Sequence, residues 1–270
     1  MKKNLLKKID PSSTGKLKEK HLVIEATEKL LQEMYDQLYL MFAEDKRSLL
    51  IVLQGIDASG KDGVVRHLFS GANPQGIRVH SFKQPSQEEL KHDFLWRCHK
   101  VIPESGFAAI FNRSYYEEVT TLKVHPELLQ SQHLPDEVTK DPKFFEKRYH
   151  NINAFEKMLT QNGVIVLKFF LHISKDEQEN RLKERIEDSK KNWKFSILDI
   201  QERSYWNKYQ KVFDEMLTAT DTSYAPWYVI PANKKWFRDL AVSEITRAVL
   251  EDMEPRFPNP VGDLSKIVVK

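Results

Sequence analysis

A doubly wound α/β domain, three layers built on a predominantly parallel five-stranded sheet, is the fold this sequence predicts. Three observations predict it. Short apolar runs recur over 48–55, 77–82, 106–111, 164–172 and 226–232. Between them apolar residues return at helical spacing, and strands that alternate with helices build parallel sheets with right-handed crossovers. The first run, SLLIVLQG, is apolar almost throughout, the pattern of a strand buried on both faces.

The elements follow in order. Residues 1–19 are polar and basic, with Pro11 and Gly15, and read as a flexible arm. Leu22, Ala26, Leu30, Met34, Leu38 and Met41 predict a helix over 21–42 that leads into the domain. The strand over 48–55 comes next. A helix starts at the glycine and lysine of the following turn and runs to about Ser70, and GANPQG over 71–76 ends it. IRVHSF gives the second strand, followed by a helical stretch over 87–101. GFAAIF gives the third, which ends at Asn112, Arg113 and Ser114. Pro126, Pro135 and Pro142 break 121–142 into a helical excursion. Helical spacing resumes over 144–159, VIVLKFFLH is the fourth strand, and a polar helix covers 174–187. A basic-aromatic turn over 190–195, a helix over 199–218, the strand PWYVIPA and a helix over 236–254 complete the pattern. No repeat or linker divides the chain. One domain over 20–258 is predicted, with a charged lid over 174–195 and a tail over 259–270.

Composition narrows the function classes. A chain of 270 residues can bury a core without covalent staples. Cys98 is the single cysteine, so no intrachain disulfide can form, which fits a reducing, cytoplasmic setting. Lysine and arginine number 42 against 39 acidic residues, too even a balance to mark a nucleic-acid binder. No stretch approaches the roughly 20 apolar residues that span a bilayer, and the basic start lacks the apolar core of a signal peptide.

Chemistry concentrates first after the leading strand. Gly55, Ile56, Asp57, Ala58, Ser59, Gly60, Lys61 and Asp62 nearly match the Walker A spacing, with Asp62 where serine or threonine is usual. The glycines let main-chain amides converge on phosphate oxygens, the next helix adds its amino-terminal dipole, and Lys61 adds a mobile charge. Two carboxylates beside a polyanion repel it unless a cation lies between, so Asp57 and Asp62 imply Mg2+. The alternative for Asp62 is a simple helix-terminus charge.

A second polar group ends the third strand, where ligands gather in parallel α/β folds. Asn112 suits metal-bound water or a phosphate oxygen, and Arg113 suits charge on a transferring phosphoryl group. Glu117 lies four residues on, so a surface ion pair with Arg113 is its plain alternative. Tyr115 and Tyr116 are either core or aromatic support. In the lid, Arg181 and Arg185 share a helical face, and Lys190, Lys191 and Lys194 surround Trp193. They form either a cover for phosphates or an ordinary solvated helix, since Glu177, Glu179, Glu184, Glu187 and Asp188 are interspersed.

GIDASGKDG, FNRSYYEEV, LKFFLHISKDEQ with its following ERIEDSKKNWK, and YAPWYVIPANKKW resemble the polyphosphate kinase 2 family, over about 20–258. The resemblance implies a P-loop kinase-like fold with a helical lid, Mg2+, and phosphoryl transfer between inorganic polyphosphate and nucleotides. It is closest to the group that accepts both AMP and ADP and makes ADP and ATP. It implies that Lys61 binds phosphate, and that Asp57 and Asp62 manage Mg2+ and orient the acceptor. Other members carry aspartate where this chain has Asn112, which bears on any metal role at that position. Arg181, Arg185, Lys190 and Lys194 fall in the lid, while Lys168 and Arg203 become candidates for positioning phosphate. A homo-oligomer is implied, with no membrane and no nucleic-acid partner. Two other readings remain at this point: an ATP-dependent nucleoside or nucleoside-monophosphate kinase, and a noncatalytic module that binds phosphate or nucleic acid.

Overall fold

The structure, a computed structural model, describes residues 5–267 and 269. The first four residues of the expected arm, and residues 268 and 270 of the tail, lie outside that set. Helix α1 (Lys20–Glu44) leads in, and its buried stripe is Val23, Thr27, Met34, Leu38 and Met41. Its packing partner near the carboxyl end of the chain selects that stripe, so Leu22, placed inside by spacing alone, is 51% exposed. Strand β1 (Ser48–Gln54) is buried at every residue, as its apolar run predicts. Burying each of its leucine, isoleucine and valine side chains stabilises the fold by about 1.5–3 kcal/mol.

The chain continues through α2 (Lys61–Phe69) and β2 (Ile77–Ser81). The helical stretch expected over 87–101 is mostly absent: a short 3-10 turn at Glu89–Lys91 and α3 (Trp96–His99) stand in its place. Local side chains compete for the backbone there. The Ser86 amide donates to Glu89 Oε2 at 2.7 Å, and the Leu95 amide donates to Asp93 Oδ1 at 2.9 Å.

Next come β3 (Ala108–Asn112), α4 (Glu117–Val124), α5 (Asp136–Thr139), α6 (Phe144–Gln161) and β4 (Val164–His172). The lid region begins with α7 (Lys175–Glu187), whose N-cap Ser174 accepts from the Glu177 amide. The helix expected over 199–218 divides into α8 (Ile197–Ser204) and α9 (Trp206–Thr220) at Tyr205, which stacks edge-on against His125. Strand β5 (Trp227–Pro231) and α10 (Lys235–Asp252) close the domain.

All five strands are parallel, in the order β2-β3-β1-β4-β5. Helices α1, α2 and α10 pack together as one layer, and α4, α6 and α9 as another. The chain changes sides at β1, so the carboxyl ends of β1 and β3, adjacent in the sheet, form the crevice where such folds take ligands. Part of the arm packs against the domain. Leu6 is buried and its amide donates to Asp214 Oδ1 at 3.0 Å, while Asn233 donates its backbone amide to the Pro11 carbonyl and its Nδ2 to Ser12 Oγ.

Candidate active site

The loop between β1 and α2 follows from its residues. Gly55 has φ of 145°, and a side chain there would press on the Leu171 carbonyl at 2.7 Å. Gly60 has φ of 105°, and a Cβ on it would collide with the Arg238 guanidinium. Ala58, at φ of 64°, takes the left-handed conformation without being glycine, a disfavoured state held by the surrounding loop. Lys61 is 8% exposed, and its ammonium donates to the carbonyls of Gly55 at 2.7 Å and Ile56 at 3.2 Å. Burial lowers the Lys61 pKa, and the nearby charges of Asp57, Glu117 and Asp62 partly restore it. A phosphate oxygen at the loop would supply the counter-charge that the two carbonyls supply only in part.

The two strand ends face each other. Arg113 donates to Asp57 Oδ1 at 2.6 Å, and Asn112 Nδ2 donates to Asp62 Oδ1 at 2.8 Å. Lys194 of the lid reaches Asp62 Oδ2 at 2.9 Å. Burial works to raise the Asp62 carboxyl, but the hydrogen bonds from Lys194 and Asn112 and the charges of Lys194 and Lys61 prevail and hold it below its ordinary range. Glu117 accepts from Thr121 Oγ1 at 2.9 Å, and it supports the Arg113 charge through space. The structure therefore gathers Asp57, Lys61, Asp62, Asn112, Arg113, Glu117 and Lys194 at one crevice.

The remaining lid residues divide. Arg181 is buried, and it is committed to main-chain carbonyls of the loop and of the β5 end: Ala58 at 3.0 Å, Ser59 at 2.8 Å and Ala232 at 2.6 Å. From that position it braces the loop between β1 and α2. Replacing Arg181 by methionine should lower stability by about 2–4 kcal/mol, because several carbonyls lose a charged donor. Loss of thermal stability and of activity in the same preparation is the expected result; activity loss with an unchanged melting temperature would return Arg181 to the phosphate-binding set. Arg185 pairs with Asp199 at 3.3 Å. Lys190 is exposed, and its amide caps onto Asp188. Arg203, a candidate for positioning phosphate, instead ties α8 to α7 through the Lys175 carbonyl at 2.7 Å and Glu179 at 2.7 Å.

Lys168 also leaves the candidate phosphate site. It sits in the middle of β4, not at its end, fully buried and paired with Glu156 of α6 at 2.7 Å. The strand runs on to His172, which carries the strand end well past Lys168. Lys168→Met alone should cost about 3–5 kcal/mol in urea unfolding, since it leaves a buried carboxylate without its cation.

Sequence reasoning missed three groups. Arg238 of α10 approaches the Gly60 carbonyl at 3.4 Å across 178 residues of chain. Gln178 donates to the Asp57 carbonyl at 3.0 Å. Asp199 of α8 lines the same cleft as Asp57, and its pKa is raised by burial and by the charge of Asp57. Gln178 closes the LKFFLHISKDEQ motif and YAPWYVIPANKKW ends two residues before Arg238, so each had a signal beside it; nothing local marks Asp199. A cleft of about 650 Å³ opens beside the crevice, with Asp57, Arg113, Phe82, Phe94, Arg97 and Asp199 among its walls.

No three His, Cys, Asp or Glu side chains gather as a preformed metal cluster among the described residues. Mg2+ commonly takes one or two protein carboxylates and completes its shell with phosphate oxygens and water. Asp57 and Asp62, partly exposed oxygen donors beside the loop, fit that requirement.

Comparison with known proteins agrees with this geometry. The chain is 42% identical over 266 residues to a protein of Meiothermus ruber named AMP/ADP-polyphosphate phosphotransferase, covering 98% of this chain and 95% of that one. It is 43% identical over 251 residues to an ADP-polyphosphate phosphotransferase of Rhodopseudomonas palustris, covering 93% and 86%. The crystal structure of polyphosphate kinase 2 from Arthrobacter aurescens superposes with a TM-score of 0.90 at 35% identity, covering 98% of this chain and 91% of that one. The family model described as polyphosphate kinase 2 matches residues 18–258, the span that holds both strand ends, the loop and the lid. With that match over most of its length, and with the loop and its arginine in place, the chain belongs to the polyphosphate kinase 2 family.

Proposed function

We propose that this enzyme transfers phosphoryl groups between inorganic polyphosphate and nucleotides, converting ADP to ATP and AMP to ADP, with Mg2+. The observation that carries the proposal is the convergence of Lys61, Asp62 and Arg113 at the ends of two neighbouring strands. The names of the Meiothermus and Rhodopseudomonas relatives support the substrate class.

The chain's residues suit this reaction. Lys61 and the loop amides hold the phosphate chain, and Arg113 leaves Asp57 to meet charge on the group in transfer. Asp57 and Asp62 would hold Mg2+, which when bound neutralises charge between the two phosphate-bearing substrates. The acceptor oxygen on the nucleotide's last phosphate is already anionic, so no general base or covalent enzyme intermediate is required. The bond from the terminal phosphorus to its bridging oxygen breaks as the bond to the acceptor oxygen forms, and polyphosphate shortens by one unit. Alignment and electrostatics carry most of the rate. The cleft at Phe82, Phe94 and Arg97 has the size and mixed lining to seat a nucleotide. Lys194 links the lid to Asp62 and is the lid residue positioned to follow substrate closure.

A cytoplasmic, homo-oligomeric enzyme belongs to the same proposal. The single buried cysteine supports the first part, and light scattering in solution tests the second. No helix among the described residues is long and apolar enough to cross a membrane.

Incubation with polyphosphate, Mg2+ and either ADP or AMP, followed by chromatographic separation of the nucleotides, tests the function. ATP should form from ADP, and ADP from AMP, and EDTA should stop both. Product from AMP only when ATP is the donor would favour a nucleoside-monophosphate kinase. Binding of oligonucleotides without any transfer would favour a noncatalytic module.

A further inference from the structure

Lys168 and Glu156 form a charged pair with no exposure at either side chain. Buried ion pairs are seldom more stabilising than apolar residues of the same volume, so this one calls for another explanation. Every polar atom of the pair is occupied. The Lys168 ammonium donates to Glu156 Oε2 at 2.7 Å, to the Tyr116 hydroxyl at 3.0 Å and to the Thr220 carbonyl at 2.8 Å. Glu156 Oε1 accepts from both the Tyr115 hydroxyl at 2.8 Å and the Tyr116 hydroxyl at 2.7 Å. Burial raises the Glu156 pKa, the charge and hydrogen bond of Lys168 oppose that rise, and Glu156 Oε1 holds both hydroxyls at once. Burial raises both tyrosine pKa values well above their ordinary range, so both remain donors.

The two tyrosines follow Arg113 and Ser114 directly. Arg113 holds φ of 64°, a conformation that a side chain as large as arginine rarely adopts. Such a turn persists only when its surroundings fix it. Its ties are the Arg113 amide on the Leu53 carbonyl at 3.3 Å, Gln54 Nε2 on Ser114 Oγ at 3.2 Å, and the tyrosine hydroxyls on Glu156. The first two fasten the turn to β1. The third fastens it to α6 and β4 on the far side.

We infer that Glu156 and Lys168, acting through Tyr115 and Tyr116, are positioning residues that hold the strained turn so that Arg113 presents its guanidinium beside Asp57. The inference rests on the proposed role of Arg113 at the transferring phosphoryl group. It also explains why a lysine stands in the middle of a buried strand, paired with a carboxylate.

Three variants test it together. Tyr115→Phe with Tyr116→Phe keeps both rings and removes the tether. Lys168→Met with Glu156→Leu replaces the pair by apolar residues, which buried pairs tolerate in stability. Arg113→Ala is the control. The double phenylalanine and the apolar-pair variants should each lose about 10- to 100-fold in kcat with KM changed much less, as a misplaced group does. Amide exchange over residues 112–118 should speed up in both. Near-normal kcat per folded molecule and native amide protection in both, while Arg113→Ala is inactive, would overturn the inference and leave the function standing. Full activity in Arg113→Ala would remove the role of Arg113 on which it rests. If the apolar pair does not fold, Tyr116→Phe alone must still show the kcat loss, and its absence there counts against the inference equally.

Discussion

Lys61→Met should lower the rate of ATP formation from ADP and polyphosphate by about 10²–10³, the loss typical of removing one group that stabilises charge in transfer. In free energy that is about 2.7–4 kcal/mol. The side chain is nearly enclosed by the loop, where a charge acts with little screening from water. Its two present partners are neutral carbonyls, at 2.7 Å and 3.2 Å, which an arriving phosphate can replace with a full negative charge. Methionine keeps the aliphatic length and leaves those carbonyls without their donor, a cost of about 1–3 kcal/mol. Removing a desolvated ammonium offsets part of that cost. Thermal stability should therefore fall little while the rate collapses. A variant that keeps more than about a tenth of the wild-type rate would show that this lysine does not touch the reacting phosphates.

The second large effect is expected at Asp62. In Asp62→Asn one carbonyl oxygen must serve where two carboxylate oxygens now accept, from Asn112 at 2.8 Å and Lys194 at 2.9 Å. The variant also loses the negative charge that a divalent ion needs. Turnover should fall about 100-fold, on the scale of a lost electrostatic group, and the Mg2+ concentration for half-maximal rate should rise severalfold. A residue that only complements the helix dipole contributes about 0.3–1 kcal/mol to stability and nothing to metal dependence. Asp62 is 64% exposed at its side chain, so stability should change little. What change there is has a definite sign. The folded-state pKa is depressed, so the contribution is present above the ordinary value of 3.8 and is lost as pH falls through the lower folded value. Unfolding curves for wild type and variant should converge there. Unchanged turnover with an unchanged Mg2+ profile would leave Asp62 as a helix-end charge.

Much of the sheet is legible in the sequence because parallel strands declare themselves by apolar composition. The run over 164–172 becomes β4 with the same limits, and 48–55 becomes β1 less its glycine. The loop is legible because its glycines and lysine act on their own neighbours. The stretch over 87–101 is not, since serine, glutamate and aspartate side chains capture its amides locally. Lys168 shows a further limit. A lysine in a buried strand suggests a ligand, yet its partner Glu156 comes from the preceding helix, Tyr116 from the turn after β3 and the Thr220 carbonyl from the end of α9. Arg181 reads as a lid cation because periodicity places it on a polar helix face; that face lies against loop carbonyls only after β5 and the loop are brought together. Arg238 lies two residues past a motif, but its approach to the Gly60 carbonyl depends on where α10 crosses the loop.

A crystal structure of the enzyme with polyphosphate, Mg2+ and ADP tests most directly whether the loop holds the phosphate chain. The expected result is phosphate oxygens within hydrogen-bonding distance of Lys61 Nζ and the amides of residues 58–62, with Arg113 turned from Asp57 toward the terminal phosphate. Polyphosphate bound on another face, with Lys61 still donating to the Gly55 and Ile56 carbonyls, would contradict it.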